Sequence, residues 1–474
     1  MLRNLFLIVL ALVELACNRH GLRIVPEELL LTPGGSVQLR LESKAPPGPV
    51  SWRVLSPGGG SIDSDGRYVA PSSSGTYEVE ARCAFGGVHT KITVRPIGDF
   101  SEIKLPARHD LGGPAIGLLD GRAVLVGRDG EALVLDPSHP ALVETGPMTV
   151  LRSDAALVLL PDGRVLAIGG QAREARGGDS RSGIQDKISQ IAASRERAAE
   201  PASPRQLAFT LQANPSSQDS GSGTAYARSA SEPAPSGDPS CVVEALDPVN
   251  LQWKPLGRLI FQHSGHTATL LQDGTILVAG GDTNTGGTWD DSNAIAEIFD
   301  PATGVSSKLG RMAFGRTYHT ATLLPTGKVF FACGDTWNEQ HLWGTAEVFD
   351  PLYKSFLPYS QRFAQGRQRH SAVLLNESEV LVAGSGTRAK VSPEIFNLTT
   401  GLTSTYPGGG TPAGALPMKD GTILLWSESS IEIYDPASLH RKALHFPFPR
   451  IEEPLVLANG RILIHDGDRI AITQ

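Results

Sequence analysis

Over the last three quarters of the chain, apolar runs alternate with short polar turns in a motif that recurs. Its fullest copy spans residues 316–351 and reads R-T-Y-H-T-A-T-L-L-P-T-G-K-V-F-F-A-C-G-D, a Trp-containing loop, then A-E-V-F-D-P. Paired apolar runs flank a two-residue turn at Asp120-Gly121, Asp162-Gly163, Asp273-Gly274, Thr326-Gly327, Glu377-Ser378, Asp420-Gly421 and Asn459-Gly460. Asp-Gly and Asn-Gly suit the positive φ angles of a type I′ turn, so each marks a hairpin. A second marker closes a third strand at Asp136, Asp247, Asp300, Asp350, Asn397 and Asp435. There the short polar side chain caps the turn, and the Pro that follows most of them stops the ladder. One such unit is a sheet too small to cover its own faces, so recurrence predicts stacked copies that cover one another.

Seven hairpins face only six third-strand turns. The last copy reaches its third strand at Arg469–Thr473 and the sequence stops, while Phe100–Pro106 is an orphan strand ahead of the first hairpin. If that orphan supplies the outer strand of the last unit, the ring closes and an exposed edge disappears. The prediction is all-β, with seven four-stranded blades over 97–474. The pattern H-[ST]-A-x-L-L, a D-G turn, Gly-Gly and E-[IV]-F-D-P resembles the kelch repeat, particularly propellers related to the central domain of galactose oxidase. That resemblance implies a kelch-type β-propeller. It implies little about function, because such propellers serve both as enzymes and as binding scaffolds.

Ahead of the repeats, residues 22–96 read as short alternating strands separated by Pro, Gly and Ser, which predicts a small β-sandwich with Trp52 in its core. The segment G-S-I-D-S-D-G-R-Y-V-A-P at 60–71, followed by G-T-Y-E-V, resembles bacterial Ig-like domains. Asp63 and Asp65 read as turn formers rather than calcium ligands. Residues 1–16 carry one Arg and an apolar run from Leu5 to Val13, the length of a signal h-region. Leu15-Ala16-Cys17 resembles the end of a bacterial lipobox, which implies lipidation of Cys17 after export. Ordinary cleavage or an uncleaved anchor is the alternative, and residues 17–21 are a linker. Residues 171–240, rich in Ser, Ala, Arg, Gly and Pro, read as a disordered insertion in the second blade, with a short helix expected over 184–199.

A net charge of −7 from 42 basic and 49 acidic side chains gives no basic footprint, so nucleic acid is not an expected partner. The four cysteines are far apart, which excludes CxxC zinc or redox motifs. Cys83, Cys241 and Cys333 read as small buried hydrophobes, with one bridge among them the alternative.

Strand parity places the loop leading into strand one and the loop joining strands two and three on the same face. The lead-in loops carry His263 and His266, then Arg316, Tyr318 and His319, then Arg367, Arg369 and His370. The second-to-third loops carry Asp282, Trp289, Asp290 and Asp291, then Asp335, Trp337, His341 and Trp343, then Arg388 and Lys390. The repeated His266, His319 and His370 read first as structural, each bonding a neighbouring blade's backbone. Galactose oxidase-like enzymes hold copper with an adjacent Tyr-His pair, another His and a Tyr cross-linked to Cys. Tyr318-His319 resembles the pair, yet no Cys lies between Cys83 and Cys241 to carry the cross-link. Alternating oxygen ligands in 282–291 resemble a calcium loop without its terminal bidentate Glu, so a solvated loop is expected. Trp289, Trp337 and Trp343 are placed either to stack on sugar rings or to pack between blades. The expectation is a monomeric, exported, lipid-anchored protein that binds a protein or glycan without metal or cofactor. A galactose oxidase-like or other sugar-processing enzyme is the alternative.

Overall fold

The computed structural model describes residues 21–103, 113–127, 131–137, 141–172, 238–282, 293–335, 344–384 and 391–474, apart from 28, 408 and 467–468. The signal segment, Cys17, the helix expected over 184–199 and nearly all of the 171–240 insertion lie outside them. Apart from a single 3-10 turn at Pro239–Cys241, every regular element among the described residues is a strand. The described residues are all-β.

From residue 113 onward the strands form consecutive antiparallel four-strand units. Unit A is Ala115–Gly117, Ala123–Val126, Ala132–Asp136 and Ala141–Glu144. Unit B is Ala156–Leu159, Val165–Ile168, Val242–Asp247 and Gln252–Arg258. Unit C is Thr267–Leu270, Ile276–Ala279, Ala296–Asp300 and Val305–Lys308. Unit D is Thr320–Leu323, Val329–Ala332, Ala346–Asp350 and Ser355–Pro358. Unit E is Ser371–Asn376, Glu379–Ala383, Glu394–Asn397 and Thr403–Thr405. Unit F is Gly414–Pro417, Ile423–Ser427, Ser430–Tyr434 and Arg441–Leu444. Unit G is Leu455–Val456, Ile462–His465 and Ile470–Thr473, with Phe100–Ile103 as its outer strand. In unit G, Ile103 pairs with Ile470 and Phe100 with Thr473; Leu105 lies outside the described residues. Units B and C merge into one eight-stranded sheet through a single parallel pair, Arg258 with Val305.

Each core is shared between neighbouring units. Val124 and Val134 meet Val165 and Leu246 between A and B, while Leu166 and Val243 meet Ile276 and Phe299 between B and C. The succession continues through D, E, F and G and returns to A, where Leu463 and Ile472 pack against Leu125 and Leu135. This cyclic stacking is that of a β-propeller. It also explains the pattern of the second strands: A-V-L-V, V-L-A-I, I-L-V-A and V-F-F-A are buried at every position. A sheet covered on both faces has no polar side to alternate with.

The hairpin turns differ from the type I′ expectation. Gly121, Gly163, Gly274, Gly327, Gly421 and Gly460 have φ between 81° and 91°, but the residue before each does not. The amide of Gly121 donates to Leu118 O and that of Leu118 to Arg122 O, with equivalent pairs in other units. This is a three-residue loop, a type I turn closed by a glycine bulge. The preceding Asp or Asn holds it by accepting the amide two residues on, as Asp273 does from Thr275 at 2.9 Å. At Glu377-Ser378 neither residue has a positive φ. The third-strand caps have the expected form: Asp300 accepts from Ala302 N at 2.9 Å, and Asn397 from Thr399 N at 3.1 Å.

Residues 23–94 form separate sheets around Leu31, Leu39, Tyr68, Val79 and Ile92. Trp52 is half-buried at the edge of that core rather than at its centre. Asp63 accepts from Asp65 N and Arg67 N, a turn role. This segment docks on the hairpin turns of units F, G and A. Thr32 N donates to Asn459 O at 2.9 Å, Ser36 N to Ala458 O at 2.7 Å and Gln38 N to Leu119 O at 2.8 Å. A Cβ on Gly35 would lie 2.3 Å from Asn459 O, so the approach requires glycine there.

Candidate functional site

The rim opposite those turns is assembled from the loops singled out in the sequence. Ser264 and Asp282 form an isolated antiparallel bridge within unit C's loops, and Thr317 and Asp335 do the same in unit D. The Gly-Gly step of units B and C, and Gly334 in unit D, then reach the lead-in loop of the next unit. Gly170 N donates to His263 O at 2.7 Å, and Gly281 N to Arg316 O at 2.6 Å.

At this rim a stack crosses three units. The residue just before each repeated His is in the left-handed region: Gly265 at φ 65°, Tyr318 at 52° and Arg369 at 46°. Tyr318 N donates to Gly265 O at 2.7 Å and Arg369 N to Tyr318 O at 3.0 Å. The Tyr318 ring lies so close over Gly265 that a Cβ there would sit 3.0 Å from it, and the Arg369 guanidinium carbon is 3.7 Å from the ring's centroid. Two non-glycine residues thus hold a backbone conformation that costs on the order of 1 kcal/mol or more each. Arg369 is exposed and Tyr318 half-buried. A guanidinium lying on an aromatic face keeps its donor fork in place for a planar acceptor such as a carboxylate.

Several residues expected at this surface are interior instead. Arg316 is fully buried and paired with Glu347, itself fully buried. Burial lowers the Arg316 pKa to about 10 against the pull of Glu347, so it stays cationic at neutral pH. His319 is likewise fully buried, with Nε2 3.2 Å from Thr267 Oγ1 and its ring against Gly280, where a Cβ would fall 2.2 Å from Cε1. His266 meets Gly169 in the same way, and His370 lies 3.5 Å from Thr320 Oγ1. Burial pushes His266 and His370 down to about 3 and His319 well below its ordinary value. These imidazoles sit between neighbouring units. Asp335 is buried and Asp282 half-buried. Trp289, Asp290, Asp291, Trp337, His341, Trp343, Arg388 and Lys390 lie outside the described residues.

The glutamate of E-[IV]-F-D-P was not singled out in the sequence, although its recurrence three residues before five of the six caps was the available signal. Arg152 pairs with Glu244 and Arg367 with Glu394, each at 2.7 Å, and Arg316 pairs with Glu347. In unit C the same place holds His263, with Nε2 3.1 Å from Glu297 and Nδ1 2.7 Å from Gly280 O. Each Glu also accepts lead-in backbone amides, as Glu297 does from Ile260 and Phe261. The pair is a latch that fixes the loop carrying the rim residues.

Cys241 and Cys333 are buried free thiols pushed up to about 12 by burial, whereas Cys83 is half-exposed at a strand end, contrary to expectation. Cys333, at φ 51°, occupies the position that is Gly280 in unit C. Copper of the galactose oxidase kind does not fit these residues. His319 spends its ring on Thr267 and Gly280, and no group of three metal-binding side chains is assembled among the described residues.

No family model and no curated protein matches the chain. Solved structures similar to it include a fungal alcohol oxidase of the AA5 family in complex with copper, with 13% identity over 80% of this chain and 75% of that one and a TM-score of 0.49. A streptogramin B lyase has 10% identity over 79% of this chain and 97% of that one, with a TM-score of 0.47. The fold assignment rests on the strand pairing and shared cores described above.

Proposed function

We propose that units A–G are the blades of a seven-bladed kelch-type propeller, carried at the cell envelope by an Ig-like segment and a lipid on Cys17. Its function is noncatalytic recognition of a protein or glycan. The observation that supports this reading is the Gly265–Tyr318–Arg369 stack: strained backbone at a rim, held by buried latches, presenting one fixed guanidinium to solvent. Strain maintained at a surface loop marks a place where positioning matters. The fixed fork selects carboxylate-bearing partners, uronic acid glycans foremost. Among the described residues, the three repeated histidines of this rim are turned inward, His319 onto Thr267 and Gly280, His266 onto Gly169 and His370 toward Thr320. A glycan array with acidic and neutral members tests the reading. Binding confined to carboxylated members and lost in Arg369→Ala is the expected result. Binding that is indifferent to Arg369 and Tyr318 would remove the rim from consideration.

A further inference from the structure

The second site lies on the opposite side of the molecule, where the N-terminal sheets meet the turns of units A and G. A cleft of about 400 Å³ runs between them, with Leu29, Leu30 and Pro26 on one wall and Asn459, Arg461 and Asp120 on the other. Arg95 and Arg461 both face it. Arg461 is half-buried and donates Nε to Thr473 O at 2.6 Å, which holds the side chain in place. Its terminal nitrogens meet no protein acceptor, and neither arginine forms an ion pair among the described residues. Burial first, then the charge of Arg95, lowers the Arg461 pKa. The cleft's own acids do not relieve this. Asp120 is held by both Nε and Nη2 of Arg122, at 3.0 and 2.8 Å, and Asp136 engages neither cleft arginine.

A half-buried guanidinium with a second, exposed one facing the same cleft favours an anion between them. We propose that this cleft binds a small organic oxyanion, a carboxylate or phosphate ester with a short apolar group, between Arg95 and Arg461. The charge goes to the guanidinium forks and the apolar group to Pro26, Leu30 and Pro137. Ser101 and Gln474, bonded to each other at 2.8 Å, also line the cleft. Ser101 belongs to the strand that completes unit G, so an occupant ties the N-terminal sheets to the seam of the ring.

The test titrates the full chain with hexanoate, hexyl phosphate, inorganic phosphate and hexylammonium, read by calorimetry and by the thermal unfolding midpoint. The two hexyl anions should bind saturably and raise the midpoint; hexylammonium should do neither. Arg95 is exposed, so Arg95→Gln should fold, weaken hexyl phosphate binding by about tenfold or more and raise the ligand-free midpoint by relieving like-charge repulsion. Arg461→Gln should weaken binding likewise, and Arg369→Ala should leave it unchanged, which separates this site from the rim. Absence of saturable binding by either hexyl anion, or equal affinity in wild type and Arg95→Gln, overturns the proposal. Inorganic phosphate binding as tightly as hexyl phosphate overturns the apolar half of it.

Discussion

Replacing Arg152 by Met tests the latch that fixes the lead-in loops. The side chain is fully buried and donates to Gly169 O at 3.0 Å, Val242 O at 2.7 Å and Glu244 Oε2 at 2.7 Å. Glu244, equally buried, also accepts from Thr149 N and Val150 N. Methionine fills similar volume but leaves the Glu244 carboxylate buried with two amide donors and no counter-charge. Breaking one side of a buried pair costs about 3–5 kcal/mol. Burial already lowers the Arg152 pKa despite Glu244, so the pair opposes desolvation and does not simply add stability. Glu244→Gln in the same background removes the stranded charge. The double variant should therefore recover roughly 1–3 kcal/mol relative to the sum of the singles. At about 2 °C per kcal/mol for a large domain, the single Arg152→Met variant should melt roughly 6–10 °C below wild type. Scanning calorimetry or chemical denaturation on all four corners of the cycle reads this directly. An Arg152→Met loss under about 1 kcal/mol, or strict additivity, would refute the latch.

Gly280→Ala should prevent stable folding or cost several kcal/mol, since its φ of 65° is strained for alanine and the added Cβ would fall 2.2 Å from His319 Cε1; a midpoint within 2 °C of wild type would contradict that. His266 and His370 titrate at about 3 when folded and near the ordinary 6.5 when unfolded. The unfolded chain therefore binds more protons between those values, and stability is lost as pH falls below 6.5, by about 2 kcal/mol per histidine at pH 5. Denaturation midpoints that stay flat from pH 7 to 5 would exclude neutral buried imidazoles. Thiol titration of the native protein should give a fast phase that Cys83→Ser abolishes, while Cys241→Ser and Cys333→Ser leave it unchanged. Fast labelling of Cys333 would mean that its loop opens.

The all-β character and the strand order were legible because each unit repeats the same apolar runs and turn residues, and repetition averages away local ambiguity. Grouping lead-in and second-to-third loops on one rim needed only strand parity, and the Ser264–Asp282 and Thr317–Asp335 bridges join such loops. What a loop's residue types did not reveal was depth. Arg367 and Arg369 stand two positions apart in one lead-in loop, yet Arg367 is buried against Glu394 and Arg369 is exposed on the Tyr318 ring. Burial there depends on partners some 30 residues away on the third strand, and pairing a lead-in Arg with a third-strand Glu requires knowing the repeat as a three-dimensional unit. The left-handed backbone at Tyr318 and Arg369 was equally hidden. In unit C a glycine marks that position, but in D and E tertiary bonds force it on residues that do not prefer it. The turn type was misread for a related reason, since Asp-Gly serves both the two-residue turn and the three-residue turn with a bulge.

Hydrogen exchange on the full chain, with and without saturating polygalacturonate as a carboxylate-rich probe, tests the rim most directly. Slowed exchange at 316–319 and 367–370, absent in Arg369→Ala, is the predicted footprint. Slowed exchange confined to the turns at 119–121 and 459–461, or none at all, would contradict the account.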